Sequence, residues 1–189
     1  MLAWTVIKQG DRVGGFFFSA TEHSEFIPRS REAGVLPLLA SLSHYTTQLP
    51  ELTEQKPRVL SDALIRLRRV MRPGSIVVLI SDFYALDEES EQHLARLRAN
   101  NDILAYHIND WLELKAPKPQ QYAMSNGVNE LLLDTHIPSV NAAYELHCSQ
   151  RIQGLSKQFQ RLHIPYLHVT AEMDIPRLVR DTFPRRSRG

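Results

Sequence analysis

Apolar positions along this chain fall into short segments with two different periods. Residues 12–19, Arg-Val-Gly-Gly-Phe-Phe-Phe-Ser, follow a Gly10-Asp11 turn and predict a strand; a second strand over residues 23–27 would complete a hairpin. Over residues 31–49, Val35, Leu38, Leu39, Leu42 and Tyr45 recur at helical spacing, with Pro37 expected in or near the first turn. Pro57 opens another helix, with Leu60, Ala63, Leu64, Leu67 and Met71 on one stripe and Asp62 and Arg66 paired on the other side, before Pro73-Gly74 ends it. Residues 75–81 form an unbroken apolar run enriched in β-branched side chains, the pattern of a central parallel strand buried on both faces.

The alternation continues. Asp87 caps a helix through Ala99 with Leu94 and Leu97 inward, and residues 102–108 form the next strand. Residues 117–134 break the rhythm with two short strands around Asn126-Gly127, a hairpin ornament. A long helix over 139–163 places Cys148, Ile152, Leu155, Phe159 and Leu162 on one stripe; a strand over 166–170 and a short helix from Pro176 finish the pattern. Strands alternating with helices predict an α/β fold with a mainly parallel, doubly wound sheet, and punctuation spread along the chain favours one domain over 1–183 with a basic tail at 184–189.

Composition narrows the function classes. The 189 residues are long enough for a full core, and at 43% hydrophobic they are not those of a disordered chain. Twenty-two basic side chains against 21 acidic ones leave a net charge of +1, which gives no global pull toward nucleic acid or an anionic membrane. Cys148 is the only cysteine, so neither an intrachain disulfide nor a multi-cysteine zinc site can form, and its place on the apolar stripe predicts a core residue. No apolar run approaches the length of a membrane helix and the first nine residues lack a signal-peptide pattern, so the expected location is cytoplasmic.

Ligands of such sheets bind beyond the carboxyl ends of the strands. Asp82 follows the strand 75–81 and Asp110 follows the strand 102–108, with Ser81 and Glu113 beside them. Two readings stay open. The carboxylates and the hydroxyl hold Mg²⁺, with Asp82, Asp110 and Glu113 positioning metal and water for a hydrolase; or both aspartates accept backbone N–H bonds in their own turns. Phosphate-loop, dinucleotide, nucleophile-elbow and His-Glu-x-x-His motifs are missing, and the eight histidines are scattered, as surface or boundary residues would be. Arg66, Arg69 and Arg72 offer a surface for an acidic partner, or complement the end of their helix. A carbohydrate or nucleotide site without catalysis is the weakest option.

Several segments in order, Gly10-Asp11-Arg12-Val13-Gly14, Leu60-Ser61-Asp62-Ala63-Leu64 into Arg72-Pro73-Gly74, Leu79-Ile80-Ser81-Asp82-Phe83, and Asn101-Asp102-Ile103-Leu104 through Asp110-Trp111-Leu112-Glu113 to Pro117, resemble the C-terminal part of the domain-of-unknown-function-58 family. The resemblance implies a von Willebrand factor A-like, Rossmann-like three-layer domain. It implies a non-enzymatic protein-interaction module working with a MoxR-type AAA+ ATPase in a chaperone-like or complex-maturation role. Of that fold's metal-dependent adhesion site only the third-loop aspartate is matched, by Asp82; the Asp-x-Ser-x-Ser loop is absent, and the position of the expected threonine offers Arg58 with Ser61 nearby. A cation would find too few ligands and Arg58 would repel it, so no cofactor is expected, with Mg²⁺ as the alternative. The resemblance places the start of the chain inside the first helix and the first central strand outside it. Two outcomes follow: a fragment of a longer protein, or closure of the gap by direct pairing of 12–19 with 75–81. Unpaired strand edges would also permit self-association.

Overall fold

A computed structural model describes residues 1–19, 22–47, 59–125 and 129–183. The elements in order are α1 (Leu2–Lys8), β1 (Arg12–Phe18), β2 (His23–Ser30), α2 (Glu32–Thr47), α3 (Val59–Val70), β3 (Ile76–Ser81) and α4 (Glu88–Arg98). They continue with β4 (Asp102–Ile108), a 3-10 turn (Trp111–Glu113), β5 (Gln121–Ser125), β6 (Glu130–Asp134), α5 (Pro138–Arg161), β7 (Tyr166–Val169) and α6 (Ile175–Thr182). They form two compact units: Met1–Glu51 with Glu172–Gly189, and Leu52–Ala171.

In the first unit β1 and β2 form the antiparallel hairpin that the sequence predicts, from Arg12 opposite Ser30 to Phe18 opposite His23, with an irregularity at Val13/Gly15. The Phe17 ring meets Phe26 (5.5 Å between centroids) and Tyr45 (6.3 Å), and the Tyr45 and Ser24 hydroxyls lie 2.7 Å apart. These contacts hold α2 on the hairpin. Gly34 is what lets the helix come so near: a Cβ there would stand 2.3 Å from the carbonyl oxygen of Arg29. Val35 and Leu38 are buried, whereas Leu39 and Leu42 are about two-fifths exposed, so only part of the predicted stripe is covered. Pro37 lies inside α2 and not in its first turn, because the helix starts at Glu32. α6 starts at Ile175, where Asp174 accepts from the backbone N–H of Arg177 (3.0 Å).

The second unit is built on a parallel sheet in the order β3-β4-β7. Leu60 and Leu64 of α3, Leu94 and Leu97 of α4, and Leu155 and Phe159 of α5 pack with Val77, Ile103 and Ala105 in one core. Each of these leucine, valine, isoleucine and phenylalanine side chains contributes roughly 1.5–3 kcal/mol through burial. Asp87 caps α4 as its sequence position predicts, its carboxylate accepting from Ser90 N–H at 2.8 Å, and Cys148 is buried on the stripe of α5. β5 and β6 pair from Gln121–Asp134 to Ser125–Glu130; the Asn126-Gly127 turn lies outside the described residues, as do Pro57, Arg58 and the basic tail.

Two expectations need correction. Among the described residues the run 75–81 is not the middle of the sheet: β3 is paired on one side only, and Ile76 and Ile80 are 45% and 57% exposed. β4 takes the centre, with residues 103–107 all buried, because among the described strands it has a neighbour on each side. Nor do 12–19 and 75–81 pair directly, since β1 bonds to β2 and β3 to β4 in separate sheets. The helix α1 is one that periodicity did not signal.

Candidate functional site

Polar side chains gather where β4 and β7 end. His107 stands opposite His168 across the parallel pair, and period-two alternation puts Asn109 on the His107 face and Tyr166 on the His168 face. His107 is fully buried and Asn109 is 4% exposed. The Asn109 amide nitrogen lies 3.3 Å from Glu113 Oε2 and 2.9 Å from His107 Nε2, and its oxygen lies 3.2 Å from His168 Nδ1. A carboxylate can only accept, which fixes the amide orientation and then every tautomer. Asn109 donates to Glu113 and to His107 Nε2; His168 Nδ1–H donates to Asn109; His107 Nδ1–H donates to the Tyr166 hydroxyl.

Burial works against charge on the two histidines and the tyrosine of this network. Burial, reinforced by His168 and the Arg151 cation against a weaker pull from Asp82, lowers the His107 pKa to about 4. Burial also lowers His168 and pushes the Tyr166 hydroxyl up to about 12. Asn109 N–H further donates to the Val169 carbonyl at 2.9 Å, so this one residue ties the end of β4 to β7 and to the 3-10 turn. Sequence reasoning passed over these groups because it took the histidines as surface or boundary residues. The available signal was a polar pair, His107 and Asn109, repeating at strand period at the end of an apolar strand, matched by Tyr166 and His168 in another.

Ahead of this network lies the turn after β3. The Asp82 carboxylate accepts from Tyr84 N–H (3.0 Å), and Ser81 Oγ accepts from Phe83 N–H (3.0 Å). Phe83 sits at φ +55°, a left-handed conformation that is costly for a bulky residue. Its buried ring holds it there, edge-on to Phe159 (4.9 Å) and beside His107 (5.8 Å). Arg151 of α5 donates from Nη2 to the Asp82 carbonyl (2.8 Å), and its guanidinium stacks 3.5 Å from the centre of the exposed Tyr84 ring.

The other predicted positions scatter around this frame. Asp110 caps the 3-10 turn, accepting from Leu112 N–H at 2.9 Å, so both aspartates are exposed and both accept N–H bonds in their own turns. Glu113 joins the network through Asn109. Ser61 is fully buried on α3, and Arg66, Arg69 and Arg72 are exposed on and just after that helix. Among the described residues no group of three or more His, Cys, Asp or Glu side chains is arranged to hold a metal ion, and no helix is long and apolar enough to cross a membrane.

The family model described as "Protein of unknown function DUF58" matches residues 1–152. Among solved structures, the chain is similar to the conserved hypothetical protein BatB from Bacteroides thetaiotaomicron, with a TM-score of 0.51 and 10% identity over 95% of this chain and 82% of that one. It also matches an aerotolerance-related membrane protein from Bacteroides fragilis, with a TM-score of 0.48 and 12% identity over 95% of this chain and 85% of that one. At such identities the first likeness speaks for the fold alone. No curated protein matches the chain.

Proposed function

We propose, from the premise that this chain belongs to the DUF58 family of proteins of unknown function, that it is a non-enzymatic protein-interaction module of von Willebrand A type. Its partner in this reading is a MoxR-type AAA+ ATPase, met in the cytoplasm in a chaperone-like or complex-maturation role. The observation that carries the reading is how the strand ends use their polar groups. Each exposed aspartate uses a carboxylate oxygen to hold its own turn, and the histidines behind them, both disfavoured as cations by burial, are hydrogen-bonded to one another through Asn109. General acid–base chemistry wants a group that titrates near the working pH, and nucleophilic catalysis wants a nucleophile beside a base. The strand ends are built instead as a stiff support beneath exposed side chains, Tyr84 at 51% and Trp111 at 47%, the kind that anchors protein contacts.

The loops of Asp82 and Asp110 form the partner-facing surface, and the exposed Arg66, Arg69 and Arg72 form a second one for an acidic face. The exposed edge of β3 adds a mode of self-association by strand pairing. The test is affinity capture of the tagged full chain with a MoxR-type ATPase encoded by the same organism. Capture is expected, with reduced recovery for Asp82→Ala and for reversal of the three arginines to glutamate. Equal recovery of the ATPase by wild type and both variants would sink the proposal, as would no recovery at all.

A further inference from the structure

A groove of about 580 Å³ runs between the turn after β3 and the second half of α5. Tyr84 and Phe83 stand on one side; Arg151, Lys157 and Arg161 line the other. Glu91 engages Arg161 at 3.5 Å and accepts from Gln158 at 2.9 Å. Arg151 and Lys157 form no salt bridge among the described residues, and Arg151 Nε–H is buried without an acceptor there. The groove is therefore positive and partly aromatic.

Its floor carries a second observation. Gly154 lies in the interior of the 24-residue α5, where glycine weakens a helix relative to alanine. Nothing among the described residues asks for it: its φ is not positive, and a Cβ placed there would meet no atom of another element within 4 Å. A glycine that no internal contact requires, exposed at the bottom of a cationic groove, leaves space for something from outside to approach the helix backbone.

We infer that this groove binds an acidic, extended peptide segment of a partner protein, with an apolar side chain of that segment seated over Gly154. The inference rests on the reading of the chain as an interaction module and names the chemistry of one contact. The spread of the cations selects a peptide over a single phosphate group. Positions 151 to 161 span about 15 Å along the helix, a length covered by about five residues of extended chain. Arg151, held by the Asp82 carbonyl and stacked on Tyr84, is fixed before anything binds, which lowers the ordering cost.

The experiment uses the full chain and a fluorescein-labelled decapeptide of Asp and Glu with a central leucine, read by anisotropy. Binding is expected that weakens with added salt and is absent for the same peptide with lysine in place of the acids. Gly154→Leu fills the floor and is expected to weaken binding by about tenfold or more. Gly154→Ala should raise the melting temperature and, because its methyl group takes part of the space over the helix, weaken binding by a smaller factor than Gly154→Leu. The pair Lys157→Glu and Arg161→Glu should weaken binding by a similar factor, which keeps the proposal testable if Gly154→Leu folds poorly. A folded Gly154→Leu that binds as wild type would overturn the inference. So would equal binding of acidic and basic peptides, or displacement of the peptide by inorganic phosphate, ATP or phosphatidylglycerol vesicles acting through the same residues. Loss of peptide binding with ATPase capture intact removes the groove and spares the functional reading; the reverse result removes the ATPase and spares the groove.

Discussion

Replacing Asn109 by leucine, similar in size but unable to hydrogen-bond, tests whether one amide organises the strand ends. The substitution removes the donors to His107 Nε2 and Glu113 and the acceptor for His168 Nδ1–H. Glu113 and His168 are only partly buried, so water replaces their lost partners at small cost. His107 is fully buried and its Nε2 is left unsatisfied, which costs about 1–3 kcal/mol. With imperfect repacking of the branched side chain adding about 1 kcal/mol, the expected loss is about 2–4 kcal/mol. For a chain of this size that lowers the melting temperature by about 2–4 °C for each kcal/mol. Urea unfolding in a Trp4→Phe background makes Trp111, two residues from the site, the fluorescent reporter. Asn109→Asp provides the contrast: a carboxylate facing His107 favours the imidazolium, so that variant should lose less stability under mild acid than at neutral pH. A loss below about 1 kcal/mol for Asn109→Leu would refute the claim that this amide holds the ends of β4 and β7 together.

Four further outcomes are expected. Because the folded His107 pKa is about 4 and the unfolded value about 6.5, the unfolded chain binds more protons between those values. Stability is then complete above pH 6.5 and falls by up to about 3 kcal/mol as pH drops toward 4; His107→Gln should flatten this limb in urea melts at stepped pH. Gly34→Ala would press a methyl group onto the Arg29 carbonyl and should lower the melting temperature, by circular dichroism, far more than Gly154→Ala raises it. Arg151→Met removes a hydrogen bond to the Asp82 carbonyl and the stack on Tyr84, a loss of about 1–2 kcal/mol; Arg151→Lys should recover less than half of it, since an ammonium cannot stack as a planar group does. Millimolar Mg²⁺ should leave the melting temperature unchanged, and a rise that disappears in Asp82→Ala would revive the hydrolase reading.

The helices α3, α4 and α5 were legible because each buries a stripe written at helical spacing, and the cap at Asp87 was legible because a side-chain acceptor ahead of a helix has a local purpose. The hairpin of β1 and β2 could be read for the same reason, the Gly10-Asp11 turn ahead of β1 and the aromatic run being close in sequence. The place of β3 could not. An apolar run records that a strand avoids water, not how many neighbours it has, and the centre went to β4, whose pairing with β7 joins residues about sixty positions apart. The same long-range pairing creates the polar network, so His107 and His168 looked unrelated until the strands were placed side by side. Asp82 and Asp110 were found at the strand ends where the reading put them, with the turn-capping alternative matching their bonds. The left-handed Phe83 has no local signature at all, because its conformation is imposed by the ring's burial against Phe159.

The uncharged state of His107 has a consequence for recognition. Imidazoles often make a binding surface change its sign and contour across neutrality, yet here burial holds His107 at about 4 and draws His168 downward as well. A visiting macromolecule meets the same uncharged His107 on either side of neutral pH. Acid sensitivity of complex formation in that interval therefore originates in groups other than His107.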